Sequence, residues 1–285
     1  MPSAQASAPA RIALCNEVLA PMAFAEQCEF AAALGYDGLE VAPFTLGDDP
    51  LALSSGQRTR LRREAEQCGL AISGLHWLLL RPAGLSITTA DPELRARTLA
   101  TLHGLIDLCA DLGGRIMVHG SPAQRRLPQQ PDQVEPARQR AIDAFASLAD
   151  HAQRAEITYC IEALAPPQAN FINNLDEAAH IVRGIGHPAL RTMLDCCAAA
   201  LAESESPAAL LDRWLPTGLL AHVQVNDANL RGPGQGEQSF RPLLAALQRH
   251  RYAGWLAVEP FEYVPDGRGC AARAIGYLRG AMEGL

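Results

Sequence analysis

The sequence lacks several features that would place it at once in a familiar class of protein. Its 24 lysines and arginines are scattered among 31 acidic residues, so no basic stripe offers a path for a phosphate backbone. No apolar run is long enough to span a bilayer. The opening MPSAQASAPA has neither the charged nor the apolar segment of a signal peptide. We therefore expect a cytoplasmic protein without nucleic-acid or membrane partners, with residues 1–10 as a flexible tail.

The eight cysteines also lack the pattern of a disulfide scaffold. None belongs to a C-x-x-C pair, and most fall inside apolar runs, which is typical of buried thiols in a reducing compartment. Cys196 and Cys197 are less routine because they follow Asp195 directly. Adjacent side chains on a strand diverge, so packing is favoured over a role as soft metal ligands.

What the sequence does contain is an alternation of short apolar runs and helical patterns. Eight runs resemble buried strands, and they cover residues 11–15, 38–41, 71–77, 115–119, 158–162, 191–195, 219–225 and 254–259. Helical patterns separate them, with Ser54 or Ser55 and Asn174 as caps and Pro92 at a tolerated first position. Eight such units predict a single α/β domain, a closed (β/α)8 or TIM barrel over residues 11–285.

An open, doubly wound sheet is the alternative fold. It would normally carry a glycine-rich phosphate turn after its first strand. Cys15, Asn16 and Glu17 stand there instead, so the closed barrel is favoured.

Polar side chains recur where the predicted strands end. In a barrel the carboxyl ends of the strands build the active site, so these groups should meet on one rim. Three of the carboxylates, those of Glu162, Asp195 and Glu259, would repel one another unless a cation held them. The strand-end residues are Glu40, His76, His119, Glu162, Asp195, Gln224 and Glu259.

Four of these residues are spaced as ligands of one metal ion. Glu162, Asp195, Gln224 and Glu259 follow one another at intervals of about one strand–helix unit. Their oxygen-rich donor set favours a divalent Mn²⁺ or Mg²⁺ ion over Zn²⁺. His222 is the rival third ligand, but it should lie about 6–7 Å deeper along the strand than Gln224.

Short motifs spread along nearly the whole chain carry a family resemblance. They are CNE at 15–17, GYDGLEVAPF at 35–44, LHWLL at 75–79, HGSPAQR at 119–125, IEAL at 161–164, ANFIN at 169–173, MLD at 193–195, HVQVNDANLRGPGQG at 222–236 and VEPF at 258–261. Together they resemble the sugar phosphate isomerase/epimerase superfamily with a xylose-isomerase-like barrel, which includes ketose 3-epimerases and hydroxypyruvate isomerases.

The resemblance implies the same metal quartet, with Gln224 in the third place as in the hydroxypyruvate isomerase branch. It also implies that Glu162 and Glu259 are the catalytic carboxylates. Two positions depart from the ketose 3-epimerase pattern: Ala198 stands where those enzymes bind substrate with a His, and Leu230 replaces the first Arg of a pair, leaving Arg231. Some members of the superfamily carry a Lys two residues after the metal-binding Asp, and Cys197 stands at that position in this sequence. We therefore expect a wider, less polar pocket near strands six and seven.

The expected chemistry is proton abstraction next to a carbonyl through a metal-stabilised enediolate. One Glu removes the proton, and return of a proton gives epimerisation or aldose–ketose isomerisation of a small ketose, keto-sugar or derivative. The alternatives are a lyase or hydrolase using the same proton abstraction, and a sugar-binding relative without turnover. The candidate substrate-binding residues are Glu40, His76, Trp77, His119, His222 and Arg231. A homo-oligomer is left open.

The mouth of the expected site offers further contacts for a sugar. Phe44 and Trp77 are rim aromatics that could stack on a sugar ring. Arg125 and Arg126 lie in the loop after the fourth strand, where a solvated role is favoured over phosphate binding because no glycine-rich nest accompanies them.

Overall fold

The computed structural model describes residues 10–166 and 168–285. The predicted tail, residues 1–10, lies outside the described part of the chain except for Ala10, which is buried. Eight strands are present in the described residues: β1 (Arg11–Cys15), β2 (Gly38–Val41), β3 (Ala71–Leu75), β4 (Ile116–His119), β5 (Thr158–Glu162), β6 (Leu190–Asp195), β7 (Leu220–Val225) and β8 (Trp255–Val258).

These strands form a closed barrel in which each strand pairs in parallel with its neighbours in sequence. The barrel closes where β1 pairs with β8, through Arg11 opposite Trp255 and Leu14 opposite Val258. The predicted TIM barrel is therefore confirmed. The main difference from the sequence prediction is β3, which ends at Leu75, so that His76 and Trp77 belong to the loop that follows.

Nine α-helices surround the barrel in the described residues: α1 (Phe24–Leu34), α2 (Ser55–Gln67), α3 (Pro92–Asp111), α4 (Pro131–Arg154), α5 (Leu175–Ile185), α6 (Cys196–Ala202), α7 (Pro207–Trp214), α8 (Arg241–Arg249) and α9 (Gly267–Glu283). Their starts follow ordinary capping chemistry. Ser54 accepts a hydrogen bond from the Gln57 amide and Asn174 accepts one from the Glu177 amide, so both predicted caps are confirmed. No helix among the described residues is long and apolar enough to cross a membrane.

The apolar core has two unequal parts. The larger fills the layer between strands and helices, and the smaller is formed by Val118, Cys160 and Met193, with Ile116 and Ala221 packed against it. Because side chains alternate along a strand, Glu162 and Asp195, two residues beyond Cys160 and Met193, share the face of this small cluster. The cysteines are free thiols and are buried except for half-buried Cys68, as expected for packing residues.

Candidate active site

Three carboxylates meet at the carboxyl ends of β5, β6 and β8. Glu162 and Asp195 are the last residues of β5 and β6, and Glu259 follows β8 directly. One oxygen from each lies within 4.8 Å of the others. We call these three residues the rim cluster. Each is at most 6% exposed, so their mutual repulsion is poorly screened by solvent.

Burial raises the pKa values of all three carboxyl groups, and neighbouring carboxylates add to the rise at Glu162 and Glu259. Burial, followed by the neighbouring Asp195, raises the pKa of Glu162 to about 8, against the lowering effect of Arg125. Burial raises the pKa of Asp195 to about 6 even though it accepts hydrogen bonds from the Ala198 amide at 2.6 Å and from Asn226 Nδ2 at 2.8 Å. Burial and then Glu162 and Asp195 raise the pKa of Glu259 well above its usual range.

Gln224 lies beside Asp195 in the β6–β7 register and has one free amide oxygen. Its Nε2 donates to Glu40 Oε1 at 2.8 Å, which fixes the orientation of the amide. Its Oε1 is buried without a hydrogen-bond partner among the described residues. A buried acceptor without a donor is costly, and a cation would satisfy it. The donor set of the rim cluster and Gln224 thus fits a hard divalent ion.

Below these residues, the Glu40 carboxylate is surrounded by His222, His76 and Gln224. His222 Nε2 lies 2.8 Å from Glu40 Oε2, and His76 Nδ1 lies 3.8 Å from Oε1. Burial alone would raise the pKa of Glu40, but His222 and then His76 and Gln224 outweigh it and lower the pKa to about 2. Glu40 and His222 are fully buried and do not line the cleft described below, and Glu40 supports Gln224 from below. Their contact with substrate stays a prediction.

His76 follows β3 and contacts acids on two sides. Its Nε2 lies 3.1 Å from Glu17 Oε2 and 3.7 Å from Glu259 Oε1. Burial lowers the pKa of His76, but Glu17 and then Glu40 and Glu162 outweigh this effect and raise it. His76 is fully buried and is not among the residues that line the cleft described below.

His119 faces away from the rim cluster. Val118 belongs to the small cluster inside the barrel, so the next side chain points outwards. The His119 ring packs edge-on against Phe145 of α4, and its Nδ1 lies 2.6 Å from the Tyr159 hydroxyl. Burial, followed by Arg125, lowers its pKa to about 3. Strand parity thus places His119 between barrel and helix and outside the lining of the cleft described below, and its contact with substrate stays a prediction.

A cleft of about 180 Å³ opens over Glu162 and Glu259. Trp77 lines it, as predicted, and packs edge-on against Phe44 at 5.5 Å and Phe261 at 6.2 Å between ring centroids. Trp77 has a φ of 52°, a left-handed conformation that is rare for a bulky residue and that is found preferentially at functional sites. The remaining lining residues are Gly120, Ser121, Pro122, Leu164 and Gln168.

The predicted widening near Ala198 is not found in the void that Ala198 and Asp195 line. That void measures about 10 Å³, room for no more than about one water molecule. Leu230 uses its carbonyl to accept hydrogen bonds from the Phe261 and Glu262 amides, both at 2.8 Å. Arg231 lies 3.5 Å from Glu262 and is absent from the lining of the aromatic cleft, so its predicted substrate contact is not seen there.

Two supporting residues were not identified from the sequence. Arg125 is fully buried rather than solvated: its Nη1 donates to the Glu162 carbonyl at 2.6 Å and its Nη2 to the Ile172 carbonyl at 3.4 Å. Asn226 donates to the Asp195 carboxylate at 2.8 Å and to the Glu259 carbonyl at 3.0 Å, and so ties Asp195 to the backbone of Glu259. The position of Asn226 directly after β7 was the available signal.

Gly120 leaves the space that the Glu162 carboxylate occupies. A Cβ atom at this position would overlap Glu162 Oε2. The residue after β4 must therefore be small if Glu162 is to face the rim cluster.

Comparisons with known proteins agree with this architecture. The chain belongs to the xylose isomerase-like TIM barrel family, whose model matches residues 28–281. The family resemblance predicted from the sequence motifs is thereby confirmed.

Individual relatives are distant. D-psicose 3-epimerase of Agrobacterium fabrum is 24% identical over 84% of this chain and 79% of its own length. 3-Dehydroshikimate dehydratase of Pseudomonas putida is 25% identical over 91% of this chain but only 38% of its own length. The structure of 3-keto-D-glucoside 4-epimerase from E. coli superposes with a TM-score of 0.80 at 19% identity, covering 95% of this chain and 99% of that one.

Proposed function

We propose that the chain is a divalent-metal-dependent epimerase or isomerase of a keto-sugar or sugar derivative. The observation that carries the proposal is the placement of Glu162 and Glu259, two buried carboxylates on β5 and β8, in the lining of one cleft. Two proton-transfer groups facing one substrate carbon are what inversion of a stereocentre beside a carbonyl requires. The 3-epimerases and the 4-epimerase among the relatives support the same reaction class.

Glu162, Asp195, Gln224 and Glu259 would hold the metal. A divalent cation bound by them, Mn²⁺ or Mg²⁺, would neutralise the carboxylates and polarise the substrate carbonyl. The protein supplies the rest. Asp195 is fixed by Asn226 and the Ala198 amide, and Gln224 is oriented by Glu40.

Glu162 and Glu259 are proposed as the proton-transfer pair. One carboxylate removes the proton beside the carbonyl, and the other returns a proton to the opposite face of the same carbon. Such transfers typically contribute about 10²–10⁴-fold each. Return of the proton to the neighbouring carbon instead would interconvert an aldose and a ketose.

The aromatic cleft points to a substituted sugar as the substrate. Trp77 packs edge-to-face against Phe44 and Phe261, and Trp77 and Phe261 line the cleft next to the two glutamates. Aromatic faces stack on sugar rings and on apolar substituents. We therefore propose that an oxidised sugar with an apolar substituent, such as a 3-keto-glucoside, reacts better than an unmodified ketohexose.

A screen for solvent-deuterium exchange tests the function directly. Unmodified ketohexoses and 3-keto-glucosides with methyl and phenyl substituents are incubated with the Mn²⁺-loaded protein in deuterium oxide. Deuterium should enter the carbon beside the carbonyl, fastest in the phenyl glycoside. A kcat/KM of about 10⁴ M⁻¹s⁻¹ or above for 3-epimerisation of an unmodified ketohexose would contradict the proposed preference.

The second candidate function is a lyase that uses the same proton abstraction. The dehydratase of Pseudomonas putida among the relatives favours it. In that case the screen would show loss of a leaving group and an unsaturated product, with no epimer. A protein that only binds sugar would show neither exchange nor product.

A further inference from the structure

A second group of metal-type donor atoms lies beside the rim cluster and differs from it in chemistry. Cys15 ends β1, Glu17 lies in the short helix that follows, and His76 follows β3. One donor atom from each, together with one from Glu259, forms a set in which every pair lies within 4.8 Å. We call these four residues the Cys15 cluster.

The polar atoms of the Cys15 cluster are buried and poorly satisfied. Cys15 and His76 are fully buried, Glu17 is 7% exposed and Glu259 is 5% exposed. Both carboxylate oxygens of Glu17, both ring nitrogens of His76 and Glu259 Oε2 lack a hydrogen-bond partner among the described residues. Such a concentration of buried polar atoms without hydrogen-bond partners needs an explanation, because each of these atoms carries a desolvation cost.

The distances suit a common ion better than a hydrogen-bonded pair. His76 Nε2 lies 3.1 Å from Glu17 Oε2 and 3.7 Å from Glu259 Oε1, yet neither approach has hydrogen-bond geometry. Donors bound at about 2.0–2.3 Å to one tetrahedral ion lie roughly 3.3–3.8 Å apart. The two His76 separations lie close to that range, and every other pair in the cluster lies within 4.8 Å.

We propose that Cys15, Glu17, His76 and Glu259 form a second cation site, which takes Zn²⁺ or a similar borderline ion. Sulfur, nitrogen and carboxylate donors together are typical of zinc, whereas the rim cluster and Gln224 offer only oxygen. Glu259 has two carboxylate oxygens and belongs to both sets. The proposal does not depend on turnover at the rim cluster.

A cation at the Cys15 cluster would connect the ends of β1 and β3, two strands that do not pair with each other. β1 pairs with β2 and β8, and β3 pairs with β2 and β4. The ion would join β1 to β3 and β8 and would fix the Glu259 carboxylate, which also faces the cleft. The site is thus a positioning element for a residue of the proposed reaction.

Cobalt spectroscopy tests the assignment without an activity assay. Metal-depleted, reduced protein is titrated with Co²⁺ and its near-ultraviolet absorption is recorded. A thiolate-to-cobalt charge-transfer band should appear and saturate within two equivalents of Co²⁺, because the rim cluster also takes a divalent ion. Cys15→Ala should abolish the band, and Cys160→Ala, a matched change at a buried cysteine of the barrel interior, should leave it unchanged.

Two further variants keep the test decisive. Asp195→Asn alters the rim cluster and leaves the Cys15 cluster unchanged, so the charge-transfer band should persist in this variant. Loss of metal binding at the rim cluster can therefore be distinguished from loss of binding at the Cys15 cluster. Glu17→Gln should retain the fold, as checked by circular dichroism, and should lower the Co²⁺ affinity measured from the charge-transfer band by at least about tenfold. This variant decides the question if Cys15→Ala does not fold. Absence of the band in the unaltered protein, or its survival in Cys15→Ala, would reduce the cluster to a His76–Glu17 ion pair and overturn the proposal.

Discussion

Glu40 and Glu162 are the same kind of side chain, both buried within the same barrel, yet their pKa values move in opposite directions. Glu40 is surrounded by His222, His76 and Gln224, which lower its pKa to about 2. Glu162 faces Asp195 and Glu259, and burial with the Asp195 charge raises its pKa to about 8 although Arg125 lies nearby. The region around Glu40, below the rim cluster, thus contains groups that offset the negative charge of its carboxylate.

The rim cluster is therefore the region that needs an external positive charge. The Glu40 carboxylate has His222 and His76 beside it, whereas the rim cluster keeps like charges together and leaves the Gln224 oxygen free. Gln224 connects the two regions, since its amide nitrogen belongs to the Glu40 network and its free oxygen lies beside Asp195.

The largest expected effect is a loss of turnover when either of the two glutamates that line the cleft, Glu162 or Glu259, is replaced. Glu162→Gln and Glu259→Gln should each lower kcat by about 10²–10⁴-fold, because each removes a proton-transfer group while keeping the side-chain shape. Turnover at saturating Mn²⁺ would be measured, with exposed Glu237→Gln as the control. Rates like those of the unaltered protein would remove that glutamate from the proposed pair.

An intermediate effect is expected at Gly120. In Gly120→Ala the new Cβ would displace the Glu162 carboxylate. A misplacement of about 1 Å can cost about 100-fold in rate, so we expect a loss on the order of 10–100-fold. Gly184→Ala in α5, where a Cβ would meet no atom within 4 Å, is the matched control and should be neutral. Equal activity in both variants would show that the position of Glu162 is not limited by Gly120.

A smaller effect concerns stability and sharpens the contrast between the two regions. Glu162 has a raised pKa in the folded state, so the metal-free folded protein keeps a proton that the unfolded chain loses, and stability should fall as pH rises from about 4.5 towards about 8. Glu40 acts in the opposite sense: its contribution is present above about 4.5 and is lost as pH falls towards about 2.

Thermal unfolding of metal-depleted protein would reveal the alkaline decline as a drop in Tm on the order of 5 °C. Glu162→Gln should flatten it, and added Mn²⁺ should reverse it because the bound cation favours ionised carboxylates. A Tm that rises over this interval without metal would contradict the assigned charge imbalance.

The fold could be predicted because its signals are local. Buried parallel strands read as continuous apolar runs, and their repetition with capped helices leaves few alternatives to a closed barrel. Glu162 and Asp195 lie at the strand ends where such barrels place their sites, so their convergence followed from the same pattern.

The remaining features of the site depend on information that a linear pattern does not contain. Successive side chains of a strand face opposite sides, so a shift of one residue decides whether His119 faces into or out of the barrel. The polar character of a histidine does not reveal which side it takes. Glu40 meets Gln224 across the barrel, 184 residues away, and the buried role of Arg125 depends on the path of a loop. Contacts of this kind become visible only once the barrel is closed.

Binding of Mn²⁺ to metal-depleted protein, measured by isothermal titration calorimetry, tests the central claim most directly. Loss of a group that only supports a metal ligand typically costs about 10–100-fold in affinity, so Asn226→Ala should fall in that range and Asp195→Asn should lose at least about 100-fold. Asp150→Asn, at an exposed carboxylate, should bind Mn²⁺ as the unaltered protein does. Undiminished Mn²⁺ affinity in Asp195→Asn would contradict the assignment of the rim cluster as the metal site.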